Sequence, residues 1–160
     1  MPPPGSTHPA GESPPPRLTP ANLLLFAEAL RLTRKAQRVR AEPLEEVVRL
    51  VAGGGLVAHT HFPQRAALAA NRAGARGARW FGWLNTCLTK SLTAGGLLAT
   101  RRQVVLHVGF RPGSEASMVD GHAWLGVDGE EVQLSAPPDV GEKPYTGILE
   151  IPFDPIGGRT

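Results

Sequence analysis

The chain has 160 residues and a mass of 17.0 kDa, with 19 Gly, 16 Pro, a single Cys, a formal charge of +3 and a pI near 9.6. That length suits one domain. The lone thiol excludes an internal disulfide, a Cys-rich zinc site and an iron–sulfur cluster, and no apolar run reaches the ~18–20 residues that span a bilayer.

The net charge conceals an asymmetry, because residues 1–102 carry +9 and residues 103–160 carry −6. A basic half of this kind either meets something anionic or is the solvated face of helices. The opening MPPPGSTHPAGESPPP lacks the charged start and apolar core of a secretory signal, so a cytoplasmic protein without membrane insertion is expected. Seven prolines in residues 1–18, with Gly and Ser, describe a disordered arm.

The first helix is expected to open at Thr19-Pro20, an N-cap followed by a residue suited to the first helical position. Leu23, Phe26, Ala27, Leu30 and Thr33–Arg34 follow its helical period, with Arg31, Arg34, Lys35 and Arg38 mostly outside it. A second helix begins at Pro43, carries Glu45 and Glu46 in its first turn, and stops at Gly53-Gly54-Gly55. An Ala-rich third helix runs from about Pro63 to Ala73, where Gly74 and Gly77 in GARGAR are expected to break it. A tryptophan-rich connection, RWFGWL, then leads into NTCLTKSLTAGGLLATRR, which keeps a helical stripe through Leu88, Leu92 and Leu97 or Leu98. Its Gly95-Gly96 would let another element pack closely. Beyond residue 102 the texture becomes that of strands: Gln103–Phe110, His122–Val127, Glu131–Leu134 after an Asp128-Gly129 turn, and Ile148–Phe153. Helices first and antiparallel strands second give an α+β domain over residues 19–155, with helices packed on a small sheet and a short tail at 156–160.

Cys87 stands at the start of the fourth helix, with Thr86 or Asn85 as its cap. A thiol there meets the positive end of the helix dipole and several unpaired N–H groups, which favour the thiolate and can hold an oxyanion. A cysteine nucleophile also needs an imidazole, and His122, which opens a strand, is the candidate. The competing reading is structural, since free cysteines are often buried and strand histidines are often packed side chains.

Two blocks weigh against that competing reading: Cys87-Leu88-Thr89-Lys90-Ser91-Leu92, and His122-Ala123-Trp124-Leu125-Gly126-Val127-Asp128-Gly129. Together they resemble the transglutaminase-like cysteine hydrolases, and more closely the lasso-peptide B proteins, the leader peptidases similar to the C-terminal domain of the microcin J25 processing enzyme. The resemblance covers about residues 19–155. It implies a transglutaminase- or papain-like core in which Cys87 is the nucleophile and His122 the general base and acid. It also implies a precursor (leader) peptide as substrate, a separate leader-recognition protein and a lasso cyclase as partners, and no cofactor. A chain of this length leaves no room for a recognition domain of its own, so the split arrangement is expected.

Members of this family place an Asp about a dozen residues after the His, and that count falls here on Leu134. A two-residue turn at Asp128-Gly129 would set Gln133 opposite Trp124 and Ser135 opposite His122, whereas a bulged turn would bring Leu134 there. Gln133 is the preferred third member, as a neutral amide able to hold a histidine tautomer; Asp139 is a lesser candidate and Asp128 is expected to be structural. The missing carboxylate keeps open a catalytically impaired leader-binding or scaffold subunit. A basic nucleic-acid-binding protein is disfavoured, because no helix-turn-helix, aromatic RNA-binding or zinc signature is present.

The remaining expectations are minor. His59 and His61 would lie on one side of a strand, too few for a metal site. His107 is a strand residue beside the core or a neighbour of Cys87. Trp80, Trp83 and Trp124 would fill the core or line the cleft. Arg101-Arg102 ends a helix in solvent or grips a leader carboxylate.

Overall fold

The computed structural model describes residues 19–52, 59–113, 119–132, 134 and 145–154. It comprises four helices followed by four strands: α1 (Pro20–Arg38), α2 (Leu44–Ala52), α3 (Pro63–Phe81), α4 (Cys87–Leu98), β1 (Val104–Pro112), β2 (Val119–Val127), β3 (Glu130–Val132) and β4 (Thr146–Pro152). The expected arm at 1–18 and the tail lie outside the described residues, as do Gln133, Ser135 and Asp139. No helix among the described residues is long and apolar enough to cross a membrane.

The strands form one antiparallel sheet in the order β3-β2-β1-β4. Val104, Leu106 and Val108 of β1 stand opposite Val127, Leu125 and Ala123 of β2, and all six join the core beneath the helices. Helix α4 lies centrally, against the other three helices and against β1 and β2. From Ser91 to Leu98 it is buried on every side, and burial of Leu92, Leu97 and Leu98 contributes about 1.5–3 kcal/mol each. Such enclosure explains Gly95-Gly96. A Cβ on Gly95 would stand 2.3 Å from the Phe153 ring, and one on Gly96 would stand 3.0 Å from both Leu32 and Val51.

Helix α1 begins as expected, with Thr19 accepting from the Asn22 N–H at 3.3 Å and Pro20 at the first position. Its buried face differs in part: Leu25, Glu28, Ala29, Leu32, Thr33 and Ala36 are buried and Phe26 and Leu30 pack partly against the core, while Leu23 and Ala27 are exposed. The run LLLF offers apolar side chains on all sides of the first two turns, so period alone does not select the inner face. Small residues do. Ala29, Thr33 and Ala36 let α1 lie close against the other helices, and Thr33 donates to the Ala29 carbonyl (2.8 Å) while receiving the Thr93 hydroxyl of α4 (3.0 Å).

The largest departure is α3, which continues through Gly74 and Gly77 to Phe81. Both glycines are buried against the following segment, where a Cβ would meet Asn85 Oδ1 at 2.3 Å or the Trp83 ring at 2.2 Å. Close approach to the returning chain, not a break, is their role. The break comes at Gly82, whose φ of 65° is the left-handed conformation glycine adopts without strain.

The hairpin is as expected, with Asp128 and Gly129 at φ 51° and 88° and Val127 facing Glu130. Register continues regularly to Leu125 opposite Val132, which is the two-residue turn and not the bulged alternative. Leu134 is a buried core residue whose carbonyl accepts from Asn71 (3.3 Å), not a partner for His122. Strand β4 adds to the far side of β1, with Leu106 opposite Ile151 and His107 opposite Glu150.

Candidate active site

Cys87 is the first residue of α4 and is partly buried against the core. A reciprocal capping box creates that position: Thr86 Oγ1 accepts from the Thr89 N–H (3.3 Å), and Thr89 Oγ1 accepts from the Thr86 N–H (3.0 Å). The N–H groups of Cys87 and Leu88 donate to no acceptor among the described residues, so they remain available beside the sulfur. One turn further on, the Ser91 hydroxyl donates to the Ala123 carbonyl at 3.2 Å. Residues four apart share a helix face, so Cys87 stands a turn above the point where α4 meets β2. His122 immediately precedes Ala123.

Ala123 packs toward the helices, and strand alternation turns His122 and Trp124 to the opposite face. There the rings form a row. His122 stacks on Tyr145 (centroids 5.3 Å apart) and on Trp124 (5.9 Å), and His107 stacks on Trp124 at 5.5 Å. Among the described residues no hydrogen bond joins Cys87 to His122. Gly109, directly opposite His122, leaves room for the row; a Cβ there would come within 2.7 Å of Tyr145 and 3.0 Å of Trp124. The Trp124 indole N–H is buried without an acceptor among the described residues.

At the head of this row is a charged cluster that sequence reasoning missed. Arg111 and Asp120 are cross-strand partners, and both Nε and Nη2 of the guanidinium bond Asp120 Oδ2 at 2.7 Å. The same guanidinium lies 4.7 Å from the centre of the Tyr145 ring, whose hydroxyl points to Asp120 Oδ2 at 3.5 Å. His122 is held below the ordinary imidazole pKa, first by partial burial; the Asp120 carboxylate opposes this and Arg111 adds to it. The only sequence signal was the D-x-H spacing, which puts Asp120 and His122 on one face of the strand. In Asp120→Asn the anion that favours imidazolium is gone while Arg111 remains. The His122 pKa is therefore expected to fall further, read from the imidazole Hε1 shift by NMR. An unchanged or raised value would refute this account of the field.

Other expectations resolve differently. Asp128 is structural: its Oδ1 accepts from the Gln103 N–H (2.9 Å), and it pairs with Arg102. Arg102 therefore braces the hairpin and also donates to the His61 carbonyl at 3.2 Å. His59 and His61 lie in the irregular run before α3, not on a strand. His107 belongs to the outer ring row, 3.4 Å from Glu150. Of the tryptophans, Trp124 is buried, Trp83 is half-buried, and Trp80 is exposed beneath the Arg76 guanidinium. Gly82 separates Trp80 from Trp83, so they share no helix face. Gln133 cannot be assigned a place, since it lies outside the described residues.

The structure thus places Cys87 at the capped start of α4 and His122 on β2, with the imidazole in the ring row on the face of the sheet turned away from the helices. The family model described as the transglutaminase-like superfamily matches residues 15–145, and the chain belongs to that superfamily. Its members commonly are cysteine hydrolases and transferases, cysteine peptidases among them. Comparison with curated proteins gave no match, and neither did comparison with solved structures.

Proposed function

We propose that this protein is a cysteine peptidase that removes the leader from a ribosomally made precursor during lasso-peptide maturation. The observation that carries the reading is Cys87 at the first position of a capped α4, beside two N–H groups without an acceptor among the described residues, in a transglutaminase-like domain. In the proposed cycle neutral His122 takes the proton from the Cys87 thiol as sulfur attacks the carbonyl at the end of the leader. The N–H groups of Cys87 and Leu88 hold the resulting oxyanion. His122 then returns the proton to the departing amine, and water releases the leader from the acyl-enzyme. For this step the proposal requires the His122 ring to turn from the outer ring row toward the Cys87 end of α4. Gln133 is the proposed orienting residue for His122, with a leader-recognition protein and a lasso cyclase as partners.

The test uses synthetic lasso-precursor peptides, each supplied with its leader-recognition protein, and mass spectrometry of the products. Expected is a cut at the leader boundary of at least one precursor, absent with Cys87→Ala. Precursor that is bound but never cut would replace the peptidase by the scaffold reading. Incorporation of a fluorescent amine into glutamine, without hydrolysis, would make it a transferase.

A further inference from the structure

Helix α1 and the end of α3 enclose a groove of about 470 Å³ lined by Leu30, Arg31, Arg34, Phe81 and Trp83. We infer that this groove docks an acidic peptide segment through one large apolar side chain. The choice of a peptide rests on the peptidase reading; the groove and its charge do not.

Three observations support it. The groove is apolar and exposed, since Phe81 is 61% accessible and its neighbours Trp80 and Leu84 are 53% and 49%. Contiguous exposure of this kind marks an interaction surface rather than ordinary scatter. The site is also rigid. Phe81 and Trp83 stack at 4.9 Å, the Trp83 ring rests against α3 where Gly77 has no Cβ, and Gln37 bonds both the N–H and the carbonyl of Leu84. Little ordering is left to do on binding, which favours affinity. Finally, the lining charge left over from the Arg31–Glu28 pair is positive. Arg31 already forks onto the buried Glu28, at 2.7 and 3.0 Å, which leaves the exposed Arg34 of the lining to meet an anion.

A nucleic-acid base fits less well. Phe81 and Trp83 spend one face each on one another, and the space between the helices is a concave apolar slot instead of an open stacking surface. The connection that carries Trp83 and Leu84 leads within three residues to Cys87. A segment seated here would therefore approach the thiol from the α1–α3 side.

The experiment is selection of displayed random 12-residue peptides on the full chain carrying Cys87→Ala, then fluorescence anisotropy with the enriched peptide. Enrichment of Asp or Glu beside Leu, Phe or Trp is expected. Binding should weaken at least tenfold in Arg34→Glu, whose thermal midpoint should be unchanged, and in Phe81→Ser, which removes its ring from the stack. A Glu-to-Lys peptide should regain binding to Arg34→Glu. Enriched peptides without that pattern, or indifferent to both changes, would overturn the proposal. So would a fluorescein-labelled oligo-dT that binds through the same two residues and displaces the peptide. If the enriched peptide binds through the groove while the wild-type chain cuts no lasso precursor supplied with its recognition protein, the peptidase reading falls and the docking site stands.

Discussion

In His122→Ala, alkylation of Cys87 by iodoacetamide at neutral pH is expected to be slower by roughly a hundredfold, the low end of what a positioned base supplies. The protein has one thiol, so the rate reports that site alone. Burial holds His122 below the ordinary imidazole pKa, and it is therefore neutral and able to accept a proton at pH 7. The sign of the pH dependence follows. Because the folded pKa is depressed, the neutral base persists below about pH 6.5. The His122-dependent part of the rate should survive mild acid and disappear only as the imidazole finally protonates. His107→Ala serves as the control, since His107 stacks on the same indole from β1 but faces Glu150. Equal rates in wild type and His122→Ala would leave Cys87 a core-packed thiol and end the case for a Cys–His pair.

Local chemistry is what the sequence made legible. Thr19-Pro20 and the Thr86–Thr89 box announce helix starts because cap and capped N–H lie within three residues of each other. Asp128-Gly129 likewise carries its own turn geometry. What stayed hidden depends on partners far along the chain. Gly74 and Gly77 look like helix breakers until Asn85 and Trp83 are seen folded against them. The ion pair between Arg111 and Asp120 requires the register between β1 and β2, which the sequence between them does not reveal. The face taken by His122 was obscure for another reason. In HAWLGV, Ala123, Leu125 and Val127 are buried on one side and Trp124 on the other, so alternation alone points both ways. Cys87 was thus placed on its helix from sequence, while the surroundings of His122 needed the fold.

Gly95→Ala and Gly74→Ala should change stability in opposite directions, although both replace a buried glycine inside a helix. Each gains about 1 kcal/mol of helix propensity, so the sign depends on what the new Cβ meets. At Gly95 it meets the Phe153 ring at 2.3–2.7 Å. Phe153 is a core side chain, and its N–H bonds the Val104 carbonyl at 2.9 Å, which leaves the ring no outward path. Overpacking of this kind costs about 1–3 kcal/mol, and contact this close belongs at the upper end, for a net loss of about 1–2 kcal/mol in denaturant unfolding. At Gly74 the nearest atom is the Oδ1 of Asn85, the end of an exposed polar side chain that can swing into solvent. The propensity gain then prevails, and the variant should be neutral or more stable by up to about 1 kcal/mol. Combining Gly95→Ala with Phe153→Leu gives a second check. Trimming the ring removes the clash, so the double variant should lose at least about 1 kcal/mol less than the sum of the singles. Additive losses would mean that α4 shifts as a body to accept the methyl, and that its seat on the sheet is looser than the packing around Gly95 implies.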